Sequence, residues 1–247
     1  QTLLVLLGTM HAGRVVQPVN LLAQPEQMRY VLDHSDCRLV VTSAEWEERV
    51  RSPLATLALP VRVAVVDPHG DAAELSAALA PLEDAQPAEP GEPPATDAPA
   101  LLMYTSGTTG LPKGVVLTHG ALVANALAIA REHALGPTDR VLGVLPLYHI
   151  NAFVVTMLAP LASGGSVALA PRFSAQTFWE QALSRRCTWL NVVPTIVSYL
   201  LEAPGPPAAA LGSLRFCRSA SAALPAAQHR AFEERFGIGI VETMGLT

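Results

Sequence analysis

The chain has 247 residues, 50% of them hydrophobic and 15% charged, with a formal net charge of −5. That length holds one large domain or two small ones and supplies a sizeable core. The acidic balance excludes a nucleic-acid binder built on clustered Lys and Arg. Cys37, Cys187 and Cys217 are too scattered for a CxxC or Cys/His metal spacing, so they read as reduced thiols of a cytoplasmic protein, with no metal ligand set.

No apolar run approaches the roughly 20 residues that span a bilayer. The opening Leu3–Leu7 run lacks the initiator Met and basic flank of a signal peptide, so it reads as the interior of a helix, and the chain as entered part-way through a domain. Strands are predicted at Val15–Val19, Arg38–Thr42 and Val61–Val66. Between them lie a helix from Pro25 carrying Met28, Val31 and Leu32 on one face, and helical pieces at Glu45–Val50 and Ala72–Ala80, a βαβαβα pattern. Residues 81–99 hold six prolines and five acidic residues with no Lys or Arg, which suits an extended connection. The chain therefore divides into a first α/β segment, 1–81, a linker, 82–99, and a second α/β segment, 100–247.

In the second segment strands are predicted at Ala100–Tyr104, Val141–Leu145, Ser166–Ala170, Thr188–Val193, Leu214–Cys217 and Ile238–Val241. Helices alternate with them: one N-capped by Thr118, then Ala152–Leu161, Ser174–Arg185, Thr195–Leu201 and one entered at Pro225. The fold class is α/β, with repeated βα units forming largely parallel sheets covered by helices. Right-handed crossovers then gather the C-terminal strand ends, and the ligand-binding loops, along one rim.

The segment Tyr104-Thr105-Ser106-Gly107-Thr108-Thr109-Gly110-Leu111-Pro112-Lys113-Gly114 is the most specific in the chain. It packs four Ser/Thr hydroxyls, three glycines and the only lysine into eleven residues, against fifteen arginines elsewhere. Glycines free backbone N–H groups to face an anion, hydroxyls add donors, and Lys113 adds charge: the parts of a polyphosphate cradle. Pro112 and Gly114 break the Walker A pattern, and Ser106 lacks the G-x-S-x-G elbow, so a P-loop NTPase and a serine hydrolase are both excluded.

The run T-S-G-T-T-G-L-P-K-G resembles the phosphate-loop signature of the adenylate-forming superfamily, which includes acyl-CoA synthetases, luciferases and peptide-synthetase adenylation domains. The resemblance implies that Thr105, Ser106, Gly107, Thr108, Thr109, Gly110 and Lys113 bind the ATP phosphates, with Lys113 catalytic through the pyrophosphate leaving group. Pro146-Leu147-Tyr148-His149-Ile150-Asn151 is similar to the family's acyl-pocket segment, placing His149 and Asn151 there together with Ser219. Arg218–Pro225 resembles the adenine-binding turn, with Ala220 and Ser221 in place of two glycines and Ala223 in place of a proline. Glu242–Thr247 resembles the Y-G-x-T-E signature, with Met244 where tyrosine stacks on adenine. Ser221, Ala222, Ala223, Glu242, Thr243, Met244 and Gly245 would thus line the adenine, and Thr247 would act catalytically beside the α-phosphate. The sequence stops one residue before the family's Mg²⁺-holding Glu.

The resemblance implies an incomplete large domain of an adenylate-forming enzyme, without the small C-terminal domain and its second catalytic lysine. It implies ATP and Mg²⁺ as cofactors, a small carboxylic acid as substrate and coenzyme A as co-substrate. Two alternatives stay open: an adenylation domain loading a carrier protein, and a non-catalytic nucleotide-binding remnant. The absence of an acidic residue between Thr188 and Leu201 weighs against the amino-acid-activating form of the first. The pocket residues Tyr148, His149, Asn151, Thr195 and Arg218 leave the acid open to aliphatic, aryl or short polar types, and the oligomeric state is unassigned.

Overall fold

The computed structural model of the protein describes residues 1–57, 59–80, 92–105 and 111–245. Contacts divide the chain into two units, Gln1–His119 and Gly120–Thr247. The proline-rich stretch predicted as a linker falls inside the first unit, and its residues 82–91 lie outside the described residues.

The first unit opens with α1 (Thr2–His11) and α2 (Pro25–His34). Pro25 sits in the first turn of α2, where its missing N–H costs nothing, and the helix buries Met28 and Leu32. Strands β1 (Leu39–Thr42) and β2 (Arg62–Val65) pair in parallel, linked by a 3₁₀ turn (Ala44–Trp46) and α3 (Glu47–Leu54). A capping box starts α4 (Ala72–Leu79): Asp71 accepts the N–H groups of Ala73 and Glu74 at 2.9 Å, and Glu74 accepts that of Asp71 at 2.8 Å.

The first unit departs from the sequence expectation in one strand and adds another. Val15–Val19 does not form a strand; only Val16 pairs, donating to Ala100 at 3.0 Å and accepting from Leu102 at 2.9 Å. The next residue facing that neighbour is Pro18, which has no N–H to continue the ladder. A strand that the sequence reading does not assign, β4 (Lys113–Thr118), runs antiparallel to β3 (Pro99–Thr105), so the two ends of the phosphate-loop signature lie on paired strands.

The second unit starts in α5 (His119–Glu132), immediately after Thr118. It holds a five-stranded, wholly parallel sheet in the order β6-β5-β7-β8-β9. Its strands are β5 (Arg140–Gly143), β6 (Ser166–Leu169), β7 (Trp189–Val192), β8 (Phe216–Ser219) and β9 (Ile240–Glu242). Strand alternation splits their side chains. Leu142, Leu190, Val192 and Cys217 face the larger core with Phe178, Ile196, Leu200, Phe232 and Phe236. Those residues come from α7 (Phe178–Ser184), α8 (Pro194–Glu202) and α9 (Ala226–Phe236). Val141, Trp189 and Phe216 pack on the opposite side with Val155 and Ile129.

The predicted helix Ala152–Leu161 is instead a π-helix, Asn151–Leu158, continued by the short α6 (Ala159–Ala162). At the N-terminal sheet edge, the buried Asp139 ties three segments together. It accepts from Thr188 Oγ1 at 2.8 Å, Arg215 Nη1 at 2.6 Å and Gly136 N at 2.9 Å. Burial alone raises its pKa, but the Arg215, Thr188 and Gly136 donors outweigh that and hold it below the usual carboxylate range. The opposite edge of the sheet, at the C-terminal strand ends, is left for the site.

Candidate functional site

In the first unit, the β3–β4 ladder sets the two ends of the phosphate-loop signature opposite one another: Thr105 pairs with Lys113, and Tyr104 with Gly114. Lys113 is exposed at the start of its strand. The glycine at 114 has a packing reason, because a Cβ there would meet the Tyr104 ring at 3.3 Å and Leu102 Cδ1 at 3.1 Å. Tyr104 is anchored in turn by a 2.8 Å hydrogen bond between its hydroxyl and His34 Nδ1. Burial, then the nearby Tyr30 and Asp36, push its pKa up to about 12, so the hydroxyl stays protonated and rigidly partnered at neutral pH. Ser106, Gly107, Thr108, Thr109 and Gly110, and also Thr247, lie outside the described residues.

In the second unit, a polar cluster occupies the end of the sheet. Asn191 and Arg218 are register partners on β7 and β8, so their side chains emerge side by side on one face. Arg218 Nη1 donates to Asn151 Oδ1 at 2.8 Å and to Asn191 Oδ1 at 3.1 Å. Asn191 Nδ2 donates to Thr156 Oγ1 at 2.8 Å and to Asn151 Oδ1 at 3.2 Å. Asn151 and Thr156 are five residues apart, the spacing a π-helix brings onto one face, so the unusual helix supplies both partners of Asn191. Gly143 on β5 lets this helix approach the sheet, since a Cβ there would lie 2.9 Å from Thr156 Cγ2. Desolvation draws Arg218 down to about 10, leaving it cationic at neutral pH. Nearby His133 is held below the ordinary histidine value by its burial and then by the Arg218 charge.

Asn151, predicted in the acyl pocket, therefore joins this cluster. Ser219 does not: it is fully buried, alternates to the other face from Arg218, and its Oγ has no partner. His149 is exposed and packs against Tyr148 at 4.4 Å between ring centroids; desolvation lowers its pKa.

The residues predicted to hold adenine form a turn after β8. Ser221 takes φ +75°, the left-handed conformation that favours glycine, which gives a physical reason for a glycine-rich turn at this place. Its Oγ accepts from Asn151 Nδ2 at 3.4 Å, linking the turn to the Arg218 cluster. Glu242 closes the turn by accepting the Leu224 N–H at 2.7 Å, and Thr243 N–H donates to Ser219 O at 2.9 Å. Ala222 and Ala223 are exposed, as is Gly245, and Met244 is 91% exposed, its thioether free to lie along a flat ring.

Sequence reasoning missed Asn191 and Thr156. The signal was present: each is a polar residue inside an apolar run predicted to be buried, and a buried polar group demands a partner. Among the described residues no group of three or more His, Cys, Asp and Glu gathers as a metal site, and no helix is long and apolar enough to cross a membrane.

A family model described as AMP-binding enzyme matches residues 1–247. The chain is 58% identical over 247 residues to the sulfoacetate–CoA ligase of Cupriavidus necator, covering 100% of this chain and 47% of that protein. It is 32% identical over 245 residues to the oxalate–CoA ligase of Arabidopsis thaliana, covering 98% and 47% respectively. The ATP-bound crystal structure of MatB from Rhodopseudomonas palustris superimposes with a TM-score of 0.85 at 28% identity, over 99% of this chain and 47% of that one. The chain thus spans about half the length of the curated relatives it matches. With the whole-length match, the α/β fold and the signature-bearing hairpin agreeing, the chain belongs to the AMP-binding enzyme family.

Proposed function

We propose that this chain is the ATP- and acid-binding part of an AMP-forming acid–CoA ligase. In the first half-reaction an oxygen of the substrate carboxylate attacks the α-phosphorus of ATP. The α–β phosphoanhydride bond breaks, giving an acyl-adenylate and pyrophosphate. In the second, the thiol of coenzyme A loses its proton and attacks the acyl carbonyl, releasing AMP and forming the thioester. The observation that carries this reading is the unbroken T-S-G-T-T-G-L-P-K-G run, hung on a hairpin whose register pairs Thr105 with Lys113. That pairing holds the ends of the loop at a fixed width, as a polyphosphate clamp requires.

Lys113 and the hydroxyls of Thr105, Ser106, Thr108 and Thr109 bind the β- and γ-phosphates and stabilise the charge that grows on departing pyrophosphate. The turn at Ser221–Ala223 and the segment Glu242–Gly245 take the adenine, and Thr247 the α-phosphate. His149 and Asn151 border the acid, and an ionised carboxylate needs no general base from either. Mg²⁺ would neutralise the triphosphate. Among the described residues no cluster of three or more His, Cys, Asp and Glu gathers to hold it. The relatives' names favour coenzyme A over a carrier-protein arm as acceptor, and the free cysteines Cys37, Cys187 and Cys217 suit a reducing compartment such as the cytoplasm. The segments 1–81 and 100–247, joined by 82–99, keep their proposed roles as a first α/β segment and the ATP- and acid-binding segment.

The test is carboxylate-dependent ATP–pyrophosphate exchange by the full-length protein carrying this chain, over a panel of acids that includes sulfoacetate. Exchange above background is expected, with Lys113→Ala lowering its rate about 100-fold, the scale on which a single transition-state donor is lost. Absence of exchange with every acid would overturn the assignment and favour a non-catalytic nucleotide-binding role.

A further inference from the structure

Arg218 is the one arginine among the described residues that is more than nine-tenths buried, with 8% of its surface exposed. Arg215 and Arg235, in the same unit, are exposed, so water screens their charge. Arg215 also pairs with Asp139 at 2.6 Å, and Arg235 donates to the carbonyls of Leu200, Leu201 and Ala203. Arg218 is withdrawn from water and has no such ion pair. The ion pairs among the described residues are Arg51–Glu47, Arg215–Asp139 and His229–Glu233, and none of them involves Arg218. Its Nη1 meets two neutral amide oxygens, and its Nε is enclosed without any partner. A guanidinium carries five donors in a rigid fork matched to an oxyanion, and burying one without a counter-charge is strongly unfavourable. The surrounding residues hold the fork in place: Asn191 is locked by Thr156, and Asn151 by Asn191 and Ser221. A cation fixed by neutral side chains at the C-terminal edge of a parallel sheet is a preorganised site for an anion.

We infer that Arg218 binds a second anionic group on the substrate, so that the acid activated is one carrying a further carboxylate or a sulfonate. The inference rests on the ligase reading above and specifies its substrate class. The reacting carboxylate is not the group Arg218 holds, because a guanidinium clamp would withdraw the electron density with which that oxygen attacks phosphorus. The anion at Arg218 is therefore the non-reacting end, and binding it presents the other end for attack. Asn151 and Asn191 are positioning residues that act through Arg218.

The experiment is ATP–pyrophosphate exchange by the full-length protein with malonate and sulfoacetate, set against 3-methylbutanoate and 3,3-dimethylbutanoate, which match them in size without the second charge. The unmodified protein is expected to favour the dianionic acids at least 100-fold in kcat/KM. Arg218→Met should reduce that ratio by at least 100-fold while the KM for ATP stays within about threefold, and Arg218→Lys should restore part of the ratio. A preference for the monoanionic acids in the unmodified protein overturns the inference without any variant, while exchange itself upholds the ligase reading. An Arg218→Met variant that loses all four acids in proportion, or whose KM for ATP rises tenfold, also overturns it, pointing to a structural or triphosphate-binding arginine. Failure of exchange with all acids in the unmodified protein instead overturns the ligase reading and the inference with it.

Discussion

Replacing Asn191 by Asp probes the uncompensated charge of Arg218 with almost no change of shape. The Asn191 oxygen already lies 3.1 Å from Arg218 Nη1, so the new carboxylate arrives in place as a counter-ion. At an effective dielectric constant of about 20, two unit charges at that separation attract by about 5 kcal/mol. Desolvating the carboxylate costs several kcal/mol in return, and Asn151 must rotate its amide so that nitrogen, not oxygen, faces the new group. The two terms nearly cancel, and the net effect on stability is expected within about 2 kcal/mol, or roughly 8 °C in Tm. Asn191→Leu behaves differently. It strips Arg218 of one acceptor and Thr156 of its donor without supplying anything, at a cost of about 3 kcal/mol. Calorimetry should therefore rank the Asp variant above the Leu variant. In exchange assays the Asp variant should discriminate against dianionic acids at least 100-fold more than the unmodified protein, because Arg218 is now neutralised from within. That factor corresponds to about 2.7 kcal/mol, roughly half the bare attraction, the remainder being lost to competing solvent. An Asp variant less stable than the Leu variant, or one that keeps its preference for dianionic acids, would refute the view that Arg218 lacks a counter-charge.

Other perturbations bear on the scaffold. Asp139→Ala should cost about 2–3 kcal/mol by stranding the Thr188, Arg215 and Gly136 donors, measurable by urea unfolding. Because the folded pKa of Asp139 is depressed, its contribution is complete above the unfolded value of about 3.9 and disappears as pH falls through the lower folded value. The variant should show a correspondingly flatter acid limb, and identical limbs would contradict the assigned partners. Gly114→Val should destabilise the protein by about 1–2 kcal/mol through contact with Tyr104 and Leu102, and the loss should be relieved in a Tyr104→Ala background. Simple additivity of the two changes in denaturant melts would show that the ring does not lie over the glycine.

What was legible in the sequence was whatever is specified locally. The strands of the second unit are short apolar runs bounded by turn residues, and Pro25 marks its helix by its own chemistry. The phosphate-loop pattern is contiguous, so Lys113 stood out without knowledge of the fold. The misreadings come from properties that depend on a partner. Val15–Val19 has strand composition, but its pairing stops at Val16, because Pro18 has no N–H with which to extend the ladder. Val115–Leu117 has strand composition too, yet becomes a hairpin arm only because β3 lies beside it. The π-helix is hidden because Ala152–Met157 are all buried, and a segment apolar on every side has no amphipathic period to betray its pitch.

The Arg218 cluster shows the same boundary inside the site. Its members are separated by 27 residues between Asn191 and Arg218 and by 67 between Asn151 and Arg218, and no local pattern links them. The sequence does carry half of the information. An amide in the run Trp189-Leu190-Asn191-Val192-Val193 must be buried, and a buried amide must be partnered, so the existence of a polar network follows from that strand alone. Its membership does not. A one-residue slip of β8 against β7 would set Cys217 or Ser219 beside Asn191 and turn Arg218 to the other face of the sheet, into the large apolar core. The hydrophobicity of Cys217, Leu190 and Val192 is what forbids that slip. The apolar face therefore fixes the register, and the register delivers the arginine to the edge where a charged substrate can reach it.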